Sequence, residues 1–101
     1  MGSRQELALI LKDVMEDNAT YFQPPEDVKL IYPCLIYTLQ SLEHRTANDA
    51  KYNKYRRYTL LLISRDKDEP LVDKIEDLPF CSHQNHYVSD NLYHDAFTLY
   101  Y

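Results

Sequence analysis

The chain has no Trp, a single Gly, only two Cys in 101 residues, and no apolar run near the length of a bilayer crossing. Each shortage excludes something. A membrane-spanning helix needs about 20 mostly apolar residues, so the sequence predicts a soluble intracellular product with no membrane partner. No signal peptide is legible, because Glu6, Lys12 and Asp13 interrupt the first apolar run. With Gly2 as the only glycine there is no Gly-rich turn to cradle phosphate or build an oxyanion hole, and no loop composed for flexibility. Cys34 and Cys81 are expected to be two buried thiols in a reducing compartment.

What is present fits one globular domain spanning residues 1–101, with a real but modest core. Ten Tyr and three Phe supply the aromatics. Tyr joins an apolar ring to a wet hydroxyl, so it suits half-buried sheet faces and protein interfaces, and it also simply fills strands. The net charge of −5 argues against an extended nucleic-acid footprint. That charge is unevenly spread. His44 to Tyr58 sets Arg45, Lys51, Lys54, Arg56 and Arg57 against Asp49, net +4; Asp66 to Asp77 sets Asp66, Asp68, Glu69, Asp73, Glu76 and Asp77 against Lys67 and Lys74, net −4. One segment can attract the other on a second copy.

Along the chain, Ser3-Arg4-Gln5-Glu6 has the form of a capping box, and Leu7, Ile10, Leu11, Val14 and Met15 recur at helical spacing. A helix is predicted over Arg4–Asp17. Pro24-Pro25 then forces an ordered loop over 18–28, with Tyr21 and Phe22 on the core. Lys29 to Ser41 reads as a strand apolar on both faces, with Pro33 at its start or at an edge. Glu43 to Lys54 is polar and reads as a long hairpin tip; Tyr55 to Arg65 is the second double-sided strand. After the Asp66–Pro70 turn, Leu71, Val72, Ile75 and Leu78 predict a short helix that Pro79 stops. The last run, Leu78 to Tyr101, breaks at Ser89-Asp90-Asn91 and reads as a hairpin whose final strand is paired in a sheet. The predicted fold is α+β in the order α-β-β-α-β-β, an antiparallel four-stranded sheet with two helices on one face. Two helices cover one face only, so the surplus apolar face predicts self-association or a bound partner.

Candidate chemistry is sparse. Cys81, His83, His86 and His94, with Cys34, are residue types that bind zinc, but strict alternation sends His86 to the face opposite Cys81 and His83. No metal site is expected. His94-Asp95 can be drawn as an acid–base pair, yet strand neighbours face opposite ways, so neither an enzyme nor a cofactor is expected. Lys51 to Tyr58 interleaves bases with aromatics as single-strand binders do; without a second basic patch it reads as a solvated hairpin with snorkelling stems.

Whole stretches are also informative in order and spacing: Tyr21-Phe22-Gln23-Pro24-Pro25, Tyr32-Pro33-Cys34-Leu35-Ile36-Tyr37, Arg57-Tyr58-Thr59, Asp66-Lys67-Asp68, Asp73-Lys74-Ile75, Leu78-Pro79-Phe80-Cys81, and Ser89 to Asp95 followed by Phe97 to Tyr101. In these the chain resembles the tail-completion or head–tail joining, tail-terminator-like proteins of tailed bacteriophages. The resemblance implies a non-enzymatic virion protein of the neck or tail top, present in the host cytoplasm during assembly. It implies a homo-oligomer, a hexameric ring, meeting tail-tube and head-connector proteins, with passing contact with DNA in the lumen. The rival expectation is a small phage or host module that binds a protein through a sheet edge. For a ring, the candidate subunit-interface residues are Arg45, Lys51, Tyr52, Lys54, Tyr55, Arg56 and Arg57 on the basic segment, Asp66, Asp68, Glu69 and Asp73 on the acidic one, and Tyr100 and Tyr101.

Overall fold

The fold is that of a computed structural model, which describes residues 4–16, 18–25, 27, 29–46, 52–66 and 69–101, with backbone only for 42–46 and 52–55. Helix α1 (Arg4–Met15) buries Leu7, Leu11 and Met15, spaced four apart on one stripe. It stops because Glu16 turns left-handed at φ 59°, and the Asn18 backbone N–H and side-chain Nδ2 both donate to Met15 O, at 3.0 and 2.9 Å. That is the place where a glycine would ordinarily sit. The proposed Ser3 cap and the expected last helical residue, Asp17, lie outside the described residues.

The next element corrects the sequence reading. Ala19–Phe22, expected within a loop, is strand β1, and it pairs parallel to β2 (Cys34–Thr46), Ala19 opposite Cys34 through Phe22 opposite Tyr37. Gln23 closes the strand by donating its N–H to Tyr37 O at 3.1 Å and accepting from Leu39 N–H at 3.1 Å through Oε1. The sheet therefore has five strands and is mixed, not four and antiparallel, and the order is α-β-β-β-α-β-β. β2 also starts later than expected, at Cys34, leaving Leu30 to Pro33 outside it.

Strand β3 (Tyr52–Ser64) runs antiparallel to β2 and to β5 (Leu92–Tyr100), β5 runs antiparallel to β4 (Cys81–Ser89), and the sheet order is β1-β2-β3-β5-β4. The C-terminal hairpin predicted from sequence is present. Its turn is Asp90-Asn91 with φ of 53° and 63°, two left-handed residues joining β4 to β5 as a primed turn requires. The last strand is not at an edge; β5 lies between β3 and β4.

Helix α2 (Leu71–Glu76) follows Pro70 and is gone before Pro79, as expected; Glu69 Oε1 accepts from Leu71 N–H at 3.2 Å at its start. Leu71 and Ile75 join Leu7, Leu11 and Met15 in one cluster with Leu35, Tyr37, Tyr58, Leu60, Leu62, Phe97 and Leu99. Each aliphatic side chain fully withdrawn from water there contributes roughly 1.5–3 kcal/mol before entropy is subtracted. The alternation of these positions leaves Ile36, Thr38, Thr59, Leu61, Ala96 and Thr98 on the opposite face, half-buried and uncharged. On that face Thr38, Thr59, Thr98 and Ser82 stand side by side across four strands.

The molecule is long for its size. Its radius of gyration is 14.6 Å and its extents 51 × 25 × 23 Å, against about 13 Å for a compact chain of this length.

Candidate functional site

The elongation comes from β2 and β3. β1 accompanies β2 only as far as Tyr37, and β5 accompanies β3 only from Arg57, which faces Tyr100. Beyond those points β2 and β3 continue together, Leu42 opposite Arg56 through Thr46 opposite Tyr52. Five pairs at about 3.4 Å per residue make a two-stranded arm about 17 Å long. The reading of Glu43–Lys54 as a long hairpin tip is thereby corrected at 43–46 and 52–54, which are paired strand, while 47–51 lie outside the described residues. A polar composition does not forbid strand pairing, because the ladder is made by backbone groups common to every residue.

The base of the arm is built from aromatics. Tyr58 is buried beside Tyr37, ring centroids 6.3 Å apart, and Tyr37 packs on Phe22 at 5.0 Å. The Arg4 guanidinium lies over the Phe22 ring at 4.7 Å. Burial pushes the Tyr58 phenol up, partly opposed by Arg56 and Arg4. Tyr101 donates its N–H to Arg56 O at 2.9 Å. A register shift between Leu39 and Ser41 places a bulge at this base, where the Ser41 hydroxyl is buried with no hydrogen-bond partner among the described residues. A bulge bends its strand and increases local twist.

The candidate interface residues do not form one patch. Arg45, Tyr52, Lys54 and Tyr55 lie on the strands of the arm; Arg56, Arg57, Tyr100 and Tyr101 lie at its base, half-buried. Asp66 follows the other end of β3, its N–H bonded to Ser64 Oγ at 3.2 Å, and Glu69 is engaged at the start of α2. Asp73 is exposed on α2. Lys51 and Asp68 lie outside the described residues. The described basic candidates thus lie toward one end of β3, and Asp66 follows its other end.

A second cluster escaped the sequence reading. The β4–β5 register slips between His83 and Asn85, so Gln84 is an extra residue and the alternation restarts after it. His86 therefore shares a face with His83 instead of opposing it, which corrects the expectation that had separated them. Both reach Asp95 Oδ1, His83 Nε2 at 3.0 Å and His86 Nδ1 at 2.8 Å. Asp95 is 6% exposed, and a buried carboxylate needs such donors. Phe97 receives the edge of the His83 ring at 5.1 Å, and Tyr93 stacks on His86 at 6.0 Å. The available signal was Asp95 itself, an acid in the middle of an apolar strand. His94 is on the other face, stacked on Tyr87 at 4.8 Å, so His94 and Asp95 do not form a pair.

Cys34 and Cys81 are free thiols, Cys34 buried as expected and Cys81 only half-buried. Burial pushes both up to about 11, with Glu76 adding to the effect at Cys81. Among the described residues no group of three or more His, Cys, Asp or Glu is disposed to hold a metal ion, and no helix is long and apolar enough to cross a membrane.

The two edges of the sheet differ. β1 is four residues long and is followed by Pro24-Pro25. β4 is nine residues long, contains no Lys, Arg, Asp, Glu or Pro, and is mostly exposed, with Val88 at 59% and Tyr87 at 40%. Proteins usually blunt an open edge with charge or proline. Compared with protein-family models and with curated proteins, the chain matches none.

Proposed function

We propose that the chain is a non-enzymatic assembly subunit that closes into a ring, completes or caps a phage tail and joins it to the head connector. The observation that carries this reading is the arm, a paired extension that runs on past the strands flanking it. A two-stranded ribbon is marginally stable by itself, so its length points to a contact outside the chain. Opposed charge at the two ends of β3 supports a heterologous contact, and the resemblance in whole stretches supports the phage setting. The mechanism is geometric: each copy offers two unlike surfaces, and rotation closes the ring. Electron microscopy of virions made without this protein tests it. Tails of abnormal length, or tails unjoined to heads, are expected; normal virions overturn it.

The open β4 edge favours a second reading, a module that binds a protein partner by strand addition outside any virion. Normal virions together with capture of a defined partner by the β4 edge would select that reading.

A further inference from the structure

We infer that the edge of β4 over Asn85–Ser89 receives the Tyr52–Tyr55 strand of a second copy's arm as a sixth strand. The inference rests on the assembly reading above and names the contact through which it would operate.

Lengths match to within one residue. The Gln84 bulge interrupts β4, and the uninterrupted stretch after it, Asn85–Ser89, is five residues. Within the β3 half of the arm, Tyr52–Tyr55, four residues, lies beyond the point where Tyr101 bonds to Arg56 O. Both segments leave one row of backbone groups unused among the described residues: β4 has a neighbour on one side only, and β3 has no β5 partner over Tyr52–Tyr55. Unpaired strand edges are completed by other strands. The receiving stretch also offers exposed apolar surface at Tyr87 and Val88.

Charge selects the occupant. The Tyr52–Tyr55 segment carries Lys54 and no acid, and leads into Arg56 and Arg57. The receiving stretch ends at exposed Asp90, and Val88 lies in register through Tyr93 with Ser64, two residues before exposed Asp66. A strand added parallel to β4 therefore carries Lys54 and the basic residues after it toward Asp90, with Asp66 two strands further in. The β2 half of the arm, Leu42–Thr46, carries Glu43 against Arg45 and has no such bias. Two β4 edges brought together would place like acidic ends side by side or leave them without basic partners.

The test uses full-length chains carrying either Asn53→Cys in the arm or Asn85→Cys on the edge, treated with a short flexible bis-maleimide alone and mixed. Cys34 and Cys81 give the background, read from the unaltered chain. A crosslinked dimer in the mixture, several-fold above either variant alone, is expected, and Lys54→Glu on the arm chain or high salt should cut that yield several-fold. Dimers of Asn85→Cys alone mean edge-to-edge pairing, dimers of Asn53→Cys alone mean arm-to-arm pairing, and either overturns the inference. Rings that assemble without a mixed crosslink overturn it and leave the assembly reading standing. Absence of any assembly, in solution or on tails, removes both.

Discussion

His83 and His86 meet on a single oxygen, Asp95 Oδ1, from 3.0 and 2.8 Å, although strict strand alternation would put them on opposite faces. One extra residue, Gln84, makes the difference. Asp95 is nearly sealed from water, so the two imidazoles replace solvent for it. Asp95→Ala should cost about 2 kcal/mol, since hydrogen bonds to a charged group contribute roughly 1.5–3 kcal/mol and both histidines keep some access to water. Thermal melts followed by circular dichroism check this; each kcal/mol lowers Tm by about 4–8 °C in a domain of this size. An unchanged Tm would show that the cluster contributes nothing to stability.

The β4–β5 turn gives a test of opposite signs at one position. Asn91 has φ 63°, which Asn tolerates and a β-branched residue does not. Asn91→Val should cost about 1–2 kcal/mol. Asn91→Gly should leave stability unchanged or raise it by a few tenths of a kcal/mol, since Asp-Gly is a preferred pair in this turn. Denaturation midpoints for both variants, compared with the parent chain, decide it.

The thiols fix a pH dependence. Cys34 and Cys81 are pushed from 9.0 to about 11 in the folded chain, so the unfolded chain ionises first as pH rises. Their contribution to stability is intact below pH 9 and is lost between there and about pH 11. Chemical denaturation at rising pH should show a steeper fall in this window for the parent than for a Cys34→Ala, Cys81→Ala chain. At neutral pH both thiols should react slowly with a disulfide reagent and react fully after unfolding.

Folding and assembly should separate at the arm. Replacing Glu43–Tyr55 by Asn-Gly, so that Leu42 and Arg56 flank a two-residue turn, removes none of the clustered core residues named above. The shortened chain should fold with its Tm close to that of the parent and fail to support tail joining. A variant that still joins tails would assign the assembly surface elsewhere.

Much of the architecture is legible in the sequence. The i, i+4 spacing of Leu7, Leu11 and Met15 marks α1, Pro70 and Pro79 bracket α2, and Ser89-Asp90-Asn91 marks the last turn. β1 is not legible because Ala19–Phe22 is too short to show a period, and its parallel pairing is decided by β2, fifteen residues on. The bulge at Gln84 has no local signature of its own: it is a mismatch between two strands, and the sequence of one strand does not contain it. The arm misleads for a different reason. A two-stranded extension has no sheet face to pack on a core, so its composition can be polar while its backbone stays paired, and polarity passes for absence of structure.

The bulge at the arm's base bears on how subunits of the proposed ring would accommodate one another. An arm of about 17 Å that pivots by about 10° at its root moves its far end by about 3 Å, less than the roughly 3.4 Å rise of one residue along a strand. Small angular differences between neighbours would be absorbed at Leu39–Ser41 without the far strand changing its pairing register. Ring size would then be set by the surfaces that meet beside the arm, while the arm would act as a tether compatible with more than one symmetry.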